Sequence, residues 1–211
     1  MRIECENIGK RFQGKWLFRN LNLCFQAGER VAITGQNGSG KSTFTQIVSG
    51  FLSPTEGKMN WMLGDQNIPV EEVWKHLSWC SPLIELPGSL SVEEVVQLQM
   101  KMREMEEGNM MNRLEEVDLL PHAKKKIEDL SSGMIQRLKL LLAFNTKSDI
   151  VILDEPASHL DRHWQNWLSE QLNSLQENRL AFIASNDHPL ELKYCTKRIE
   201  ISPDAPIVAG R

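Results

Sequence analysis

The chain has 211 residues, of which 41% are hydrophobic and 25% are charged. This length suits one domain, or one domain with a small subdomain, and the composition is too apolar for a disordered chain. The formal net charge of −4 argues against broad nucleic-acid binding, which usually needs a basic face. No apolar run approaches the roughly 20 residues that span a bilayer. The first residues also lack the pattern of a secretion signal, so we expect a cytoplasmic protein.

The N-terminal quarter is predicted to form strands, then a glycine-rich turn and a helix. Residues 3–8 and 21–25 alternate between apolar and polar side chains, as half-buried strands do. The apolar run 31–34 predicts a buried strand. After the glycine-rich stretch 35–40, apolar side chains recur at helical spacing as far as Phe51, and Gly50 and Pro54 predict that the helix ends around them. The order strand, turn and helix is the context that a phosphate-binding loop requires.

The middle of the chain is predicted to be mostly helical. Residues 91–94 have the spacing of a capping box, which marks the start of a helix. Helical character continues through Met105, the pair Gly108–Asn109 predicts a break, and a second helix is expected over about 110–117. We interpret residues from about 80 to 135 as a helical insertion in an α/β core.

The α/β pattern resumes in the last third of the chain. The continuous apolar run 150–153 is typical of a parallel strand that is covered on both faces. A helical apolar stripe follows from Trp164 to Leu175, and residues 180–184 predict another buried strand. Alternating strands and helices predict an α/β fold with a mainly parallel sheet, in a single domain over 1–211.

The most specific motif is the glycine-rich stretch itself. Residues 35–42 match the pattern G-x-x-x-x-G-K-[ST] of a phosphate-binding loop. Glycines let backbone N–H groups close around phosphate oxygens, and the start of the following helix adds a positive dipole. Lys41 is expected to neutralise phosphate oxygens, and the Ser42 hydroxyl to bind Mg²⁺. The predicted ATP-binding residues are Gly35, Gln36, Asn37, Gly38, Ser39, Gly40, Lys41, Ser42 and Thr43.

Two acidic residues follow the predicted strand 150–153. Asp154 is a candidate Mg²⁺ ligand, because an acid at a strand end can hold the ion through water. Glu155 is a candidate catalytic residue that polarises the attacking water. Such a pair, taken alone, is also found where a strand simply ends or the next helix is capped.

Three motifs in a fixed order resemble those of the ATP-binding cassette (ABC) ATPases. Residues 130–137, Leu-Ser-Ser-Gly-Met-Ile-Gln-Arg, resemble the family signature, and they precede Asp154–Glu155 at the usual separation. Residues 158–161 resemble the D-loop, which ends in Asp161. The form of the signature is similar to that of many bacterial exporters. The resemblance covers nearly the whole chain and implies a P-loop NTPase core, an N-terminal antiparallel β subdomain and a helical insertion subdomain.

The resemblance also implies that the chain functions as a dimer. It implies a head-to-tail dimer with two MgATP molecules, in which Ser131, Ser132 and Gly133 of one protomer close over the γ-phosphate held by the other. Phe12 lies where the family places an aromatic ring that stacks on adenine, and Trp16 is a weaker candidate. The second cassette is either an identical or a different chain.

A transporter motor of this family works with separate transmembrane permease subunits, on the inner face of the cell membrane, without inserting into the membrane. A permease helix enters the cleft between the core and the helical insertion. Here that region includes Trp79, Leu83, Ile84 and Leu86, whose apolar side chains fit either this contact or internal packing. A cassette of DNA repair or translation is a less favoured alternative, because the chain is acidic and has one cassette.

Two positions depart from the family pattern. After the predicted strand near 77–80, the family has a Gln that reaches Mg²⁺ and water, whereas this chain has Ser81 or Pro82. After 180–184, Asn186 replaces the switch histidine; an amide can hydrogen-bond a phosphate but cannot carry a proton. We therefore expect normal MgATP binding and slow hydrolysis by the isolated subunit. The alternative is a hydrolysis-impaired cassette that acts as a regulatory or heterodimer partner.

Overall fold

The computed structural model describes residues 1–108, 110–175 and 178–202. In chain order the strands are β1 (Arg2–Phe12), β2 (Lys15–Gln26), β3 (Arg30–Thr34), β4 (Glu56–Leu63), β5 (Gln66–Ile68), β6 (Leu77–Cys80), β7 (Ile150–Asp154), β8 (Leu180–Ala184) and β9 (Lys197–Glu200). The helices are α1 (Lys41–Val48), α2 (Val92–Met102), α3 (Met110–Glu116), α4 (Ser132–Asn145), α5 (Arg162–Asn173) and α6 (Pro189–Leu192).

The strands form two sheets within the described residues. One is antiparallel with the order β2-β1-β4-β5, and the other is parallel with the order β6-β7-β8-β3-β9. This arrangement confirms the predicted mixed α/β class with a parallel sheet and an N-terminal antiparallel part. Strands β7 and β8 are buried along their whole length, as their continuous apolar runs predicted.

Side chains of β7 divide the hydrophobic core into two clusters, because successive residues of a strand point to opposite faces. Ile150 and Ile152 pack with α1 and the antiparallel sheet. Val151 and Leu153 pack with α2, α3, α4 and α5. The helices α2 and α3 fall between β6 and β7 in the chain, inside the stretch proposed as an insertion. None of the helices formed by the described residues combines the length and apolar character needed to cross a bilayer.

Two predicted helices end earlier than their apolar spacing suggested. Helix α1 ends at Val48, close to Gly50 as expected, because Gly50 takes a left-handed φ of 74° that terminates the helix and leaves Phe51 outside it. Phe51 is instead 78% exposed, and its ring lies 6.2 Å from that of Trp79. Helix α2 does not reach Met105, because Arg103 is extended. The predicted capping box at the start of α2 is present, and Asn109 of the predicted break lies outside the described residues.

The buried Arg179 joins three elements at the amino-terminal edge of the parallel sheet. Its guanidinium donates hydrogen bonds to the carbonyl oxygens of Phe144 (3.0 Å) and Thr146 (3.2 Å), at the end of α4. It also donates to the hydroxyls of Ser78 in β6 (3.1 Å) and Ser148 before β7 (2.6 Å). The positive charge is favoured there by the helix dipole.

Arg179→Met should lower the free energy of unfolding by about 3 kcal/mol, because it leaves several buried acceptors without a donor. Urea unfolding at fixed pH measures the change. Arg162→Met, on the exposed first turn of α5, is the matched control and should change stability by less than about 0.5 kcal/mol. Equal effects of the two substitutions would contradict this assignment.

Candidate nucleotide-binding site

Four polar segments meet at the carboxyl edge of the parallel sheet. The strand order β6-β7-β8-β3 places the residues that follow these strands side by side: Ser81, Glu155, Asn186 and the loop 35–42. Ligands of open α/β sheets bind at this edge. The structure thus brings together segments that the sequence holds far apart.

The loop 35–42 has a backbone that requires glycine. Gly35 and Gly40 have φ angles of 142° and 108°, which residues other than glycine rarely adopt. A Cβ atom at Gly35 would lie 2.4 Å from the carbonyl oxygen of Ile201 and 2.6 Å from Ser39 Oγ. Ser39 Oγ is buried and has no hydrogen-bond partner among the described residues. A buried hydroxyl of this kind fits a loop that closes on phosphate oxygens.

Lys41 is the first residue of α1 and is buried under the loop. Its ammonium group donates hydrogen bonds to the carbonyl oxygens of Gly35 (2.9 Å) and Gln36 (3.2 Å) and to Asn186 Oδ1 (2.6 Å). The Asn186 amide nitrogen then donates to Glu155 Oε1 at 2.7 Å. Asn186 therefore bridges the lysine and the glutamate. This contact follows from the sheet order, because β8 lies between β3 and β7.

Glu155 stands just beyond β7 in an uncommon backbone conformation. Its φ is 48°, in the left-handed region that few residues other than glycine adopt. Its amide donates to the carbonyl oxygen of Ala184, the last residue of β8, at 2.9 Å. Such backbone outliers are often found at functional sites, where the surrounding structure enforces them.

Asp154 is buried at the end of β7, beside two hydroxyl groups. Burial raises the pKa of Asp154, and hydrogen bonds from Ser42 and Ser81 oppose this shift. The Ser81 hydroxyl lies 3.3 Å from Asp154 Oδ2. Hydroxyl and carboxylate oxygens are the donors that Mg²⁺ prefers. The predicted pair Ser42 and Asp154 therefore lies together and fits the ion by donor chemistry.

The structure also distinguishes the two residues considered for the missing glutamine. Ser81 is buried and bonded to Asp154, whereas Pro82 is exposed. Ser81 was not among the predicted site residues. Its place directly after β6, next to β7, is the signal that could have found it, because parallel strands end at the same edge.

The signature and D-loop segments lie at the starts of two helices. Ser131 caps α4 by accepting the Met134 N–H at 3.3 Å, and Asp161 caps α5 by accepting the Trp164 N–H at 3.1 Å. Ser131 and Ser132 are exposed. A Cβ atom at Gly133 would lie 2.9 Å from the carbonyl oxygen of His159, so the two segments touch.

The groove beside the phosphate loop includes none of the signature residues. Among the described residues, it is lined by Leu17, Asn37, Gly38, Gly40, Lys41, Ser42, Thr43 and Glu155. In a single chain the signature therefore lies apart from this groove.

Two aromatic side chains lie near the turn between β1 and β2. Phe12 is 47% exposed, and the ammonium of Lys10 lies 5.0 Å from its ring centroid. Trp16 instead lies between the guanidinium groups of Arg11 (5.2 Å) and Arg19 (4.2 Å). A cation of the chain thus lies over each ring, but Phe12 is exposed whereas Trp16 is half-buried, which favours Phe12 as the candidate that stacks on a base.

A second depression, of about 240 Å³, lies between β6, α2 and α4. Its apolar lining includes Trp79, Ile84 and Leu86, which the sequence had singled out. Leu83 is exposed. Arg103 and Lys139 add two cationic groups to the lining.

Comparisons with known proteins agree with this geometry. Residues 18–158 match the family described as ABC transporter. A zinc import ATP-binding protein of Rhizobium meliloti is 31% identical over 194 residues, which cover 90% of this chain and 59% of the relative. A cytochrome c biogenesis ATP-binding export protein of Brucella abortus is 29% identical over 192 residues, which cover 91% and 88% of the two chains.

The chain spans between 47% and 88% of the length of the curated relatives that it matches. A solved dimeric ATP-binding cassette, in a post-hydrolysis state with ADP and phosphate, has a TM-score of 0.80 and 20% identity. The match covers 99% of this chain and 98% of that one, and it shows a shared fold. The signature, the glycine-rich loop and the acidic strand end thus occur in the fold that they predicted, and the chain belongs to the ABC transporter family as one of its ATP-binding cassette ATPases.

Proposed function

We propose that this chain is the nucleotide-binding subunit of a transporter, which binds MgATP, dimerises around it and uses its hydrolysis to drive separate membrane subunits. The main support is the hydrogen-bonded series Lys41–Asn186–Glu155 at the carboxyl edge of the sheet. Lys41, the proposed phosphate counter-charge, and Glu155, the proposed general base, lie on either side of one amide. Attack of water on a γ-phosphate needs both groups.

In this proposal the loop 35–42 and Thr43 bind the phosphates of ATP. The loop amides and the start of α1 favour an anion. Lys41 exchanges its neutral carbonyl partners for charged phosphate oxygens, which form stronger hydrogen bonds. Phe12 stacks on the adenine base, and its exposure beside the hairpin turn leaves it accessible for this contact.

Ser42 and Asp154 would hold Mg²⁺, with Ser81 orienting the Asp154 carboxylate through its hydrogen bond. The ion, when bound, supplies positive charge that neutralises the β- and γ-phosphate oxygens. Burial of Asp154 limits competition from water for these groups.

Glu155 accepts a proton from the attacking water, and Asn186 holds the glutamate carboxylate in place by its amide N–H. A carboxamide is neither protonated nor ionised near neutral pH, so Asn186 positions Glu155 and leaves proton transfer to the carboxylate. This division is the reason that we expect slower hydrolysis than in cassettes with a histidine at this position.

A second cassette completes the site. Ser131, Ser132 and Gly133 lie at the positive end of α4 and outside the groove of their own chain. In a head-to-tail dimer they close over the γ-phosphate that the partner holds, and Asp161 lies in the adjoining D-loop. The second cassette is a copy of this chain or a different one.

The transmembrane permease subunits would bind at the depression between β6, α2 and α4, which places the chain on the inner face of the cell membrane. Trp74, which lines the depression, is exposed, and the exposed ring of Phe51 lies 6.2 Å from that of Trp79 in the lining. Apolar surface of this kind at a cleft is typical of an interaction site. Relatives named for import and for export both occur, so we assign no direction of transport. Neither membrane insertion nor nucleic-acid binding is part of the proposal.

The alternative, a hydrolysis-impaired regulatory cassette, is not favoured. This alternative rested on the two departures from the family pattern, at Pro82 and Asn186. Ser81 supplies a polar group beside Asp154, and Asn186 contacts Glu155 directly. The relatives are named as ATP-binding proteins of transport.

Lys41→Ala should weaken MgATP binding by roughly 10- to 100-fold, because it removes a charge-assisted hydrogen bond to phosphate. Isothermal titration calorimetry measures the affinity. Lys124→Ala, at an exposed site far from the loop in sequence, is the control and should bind as the parent chain does. If Lys41→Ala also binds like the parent, the loop has been misassigned.

Asn186→Ala should lower kcat for MgATP by roughly 10- to 100-fold, because Glu155 loses the group that positions it. The affinity for MgATP should change by less than about threefold, since the loop remains. Asn166→Ala, exposed on α5, serves as the control in the same assay. Loss of affinity equal to the loss of kcat would show that Asn186 supports the loop instead.

Glu155→Gln should bind MgATP but cleave it slowly, because an amide cannot accept the proton from water. We therefore expect size-exclusion chromatography to show a dimer with MgATP and a monomer without it. Adding Lys41→Ala to the same chain should abolish the dimer. A monomer under all conditions would count against the head-to-tail assembly.

A further inference from the structure

The peptide group between Pro156 and Ala157 is held at both of its polar atoms. Gln136 of α4 donates from Nε2 to the Pro156 carbonyl oxygen at 3.0 Å. Glu191 of α6 accepts the Ala157 N–H at Oε1, at 2.9 Å. The two side chains are only 5% and 3% exposed. Side chains from two different helices thus fix the plane of one buried peptide, and we call this pair of contacts the peptide clamp.

Glu191 is also tied to the segment that follows β8. Burial raises the pKa of Glu191, and hydrogen bonds from Ser185 and from the Ala157 N–H oppose this shift. Ser185 in turn accepts the His188 N–H at 3.1 Å. His188 is half-buried, and its Nδ1 atom is inaccessible to solvent. Glu191 therefore links the peptide clamp to the two residues that flank Asn186 and Asp187.

A buried carboxylate is costly unless it has a defined partner, so this one needs an explanation. The clamped peptide lies one residue after Glu155, whose backbone is already in the left-handed region. On its other side α4 begins with the signature, and Gly133 touches the backbone of His159. The segment between Glu155 and the D-loop is thus fixed between α4 and α6.

We propose that Gln136 and Glu191 are positioning residues, which set the Glu155 carboxylate relative to the signature helix and the segment with Asn186. The inference rests on the proposed function, in which α4 closes on the partner's ATP while Glu155 acts on the ATP of its own chain. The peptide clamp then connects the two ATP sites of a dimer. Displacement of α4 moves Glu155, and a shift of about 1 Å changes a catalytic rate by on the order of 100-fold.

Glu191→Leu removes the acceptor at similar volume, and Gln136→Leu removes the donor. Each should lower kcat for MgATP by roughly tenfold or more, with KM and the affinity for MgADP within about threefold. Glu191→Gln keeps a side-chain oxygen for the Ala157 N–H and should restore kcat. This pattern separates positioning from a general loss of stability, which would lower nucleotide affinity as well.

Asn145→Leu is the matched control. Asn145 is also buried on α4 and donates to the carbonyl oxygen of Leu141 at 2.9 Å, away from the clamp. It should lower the melting temperature without changing kcat. Should the two clamp variants behave like Asn145→Leu, or lose MgADP affinity in step with the melting temperature, the proposal is overturned.

Hydrogen exchange of the full chain tests the clamp without any hydrolysis. The Ala157 amide should exchange roughly tenfold faster in Glu191→Leu, because it loses its buried acceptor. Its exchange rate should be unchanged in Glu191→Gln. Unchanged exchange in Glu191→Leu overturns the clamp. If the parent chain hydrolyses no MgATP, the proposed function fails while the exchange rates still decide the clamp.

Discussion

The site depends on one amide group. Asn186 lies between the ammonium of Lys41 and the carboxylate of Glu155, and it donates to one while accepting from the other. The carboxamide satisfies both neighbours at once, because its oxygen accepts from the ammonium and its nitrogen donates to the carboxylate. The amide thus keeps the Lys41 ammonium and the Glu155 carboxylate apart, so that they do not form a direct ion pair before a phosphate binds.

The sheet makes this contact possible. Lys41 and Asn186 are 145 residues apart in sequence, and they meet because β8 is inserted between β3 and β7. The same edge adds Ser81 from β6 to Asp154 from β7. The end of each strand thus supplies at least one polar group, and the strand order decides which groups become neighbours. The chemistry of the edge is therefore a property of the topology rather than of any one motif.

Local motifs were predictable from the sequence, and long-range contacts were not. The loop 35–42 and the capping box at α2 act through residues close in sequence, so spacing alone identified them. The bridge made by Asn186 required the strand order. Strand β4 was missed because it is only partly buried and lacks strict alternation. The error at Phe51 arose because helical spacing continued past Gly50, whose left-handed backbone ended the helix.

The division of β7 between two clusters has a consequence for how this chain can diverge. Val151 faces the side that includes the helices of the proposed insertion. Ile152 faces the side that includes α1, the helix that follows the phosphate loop. Substitutions on the first side can change how α2 and α3 pack, while the side chains of the second side stay the same. The apolar side chains on one face of β7 can therefore change without altering the residues that pack on the other face.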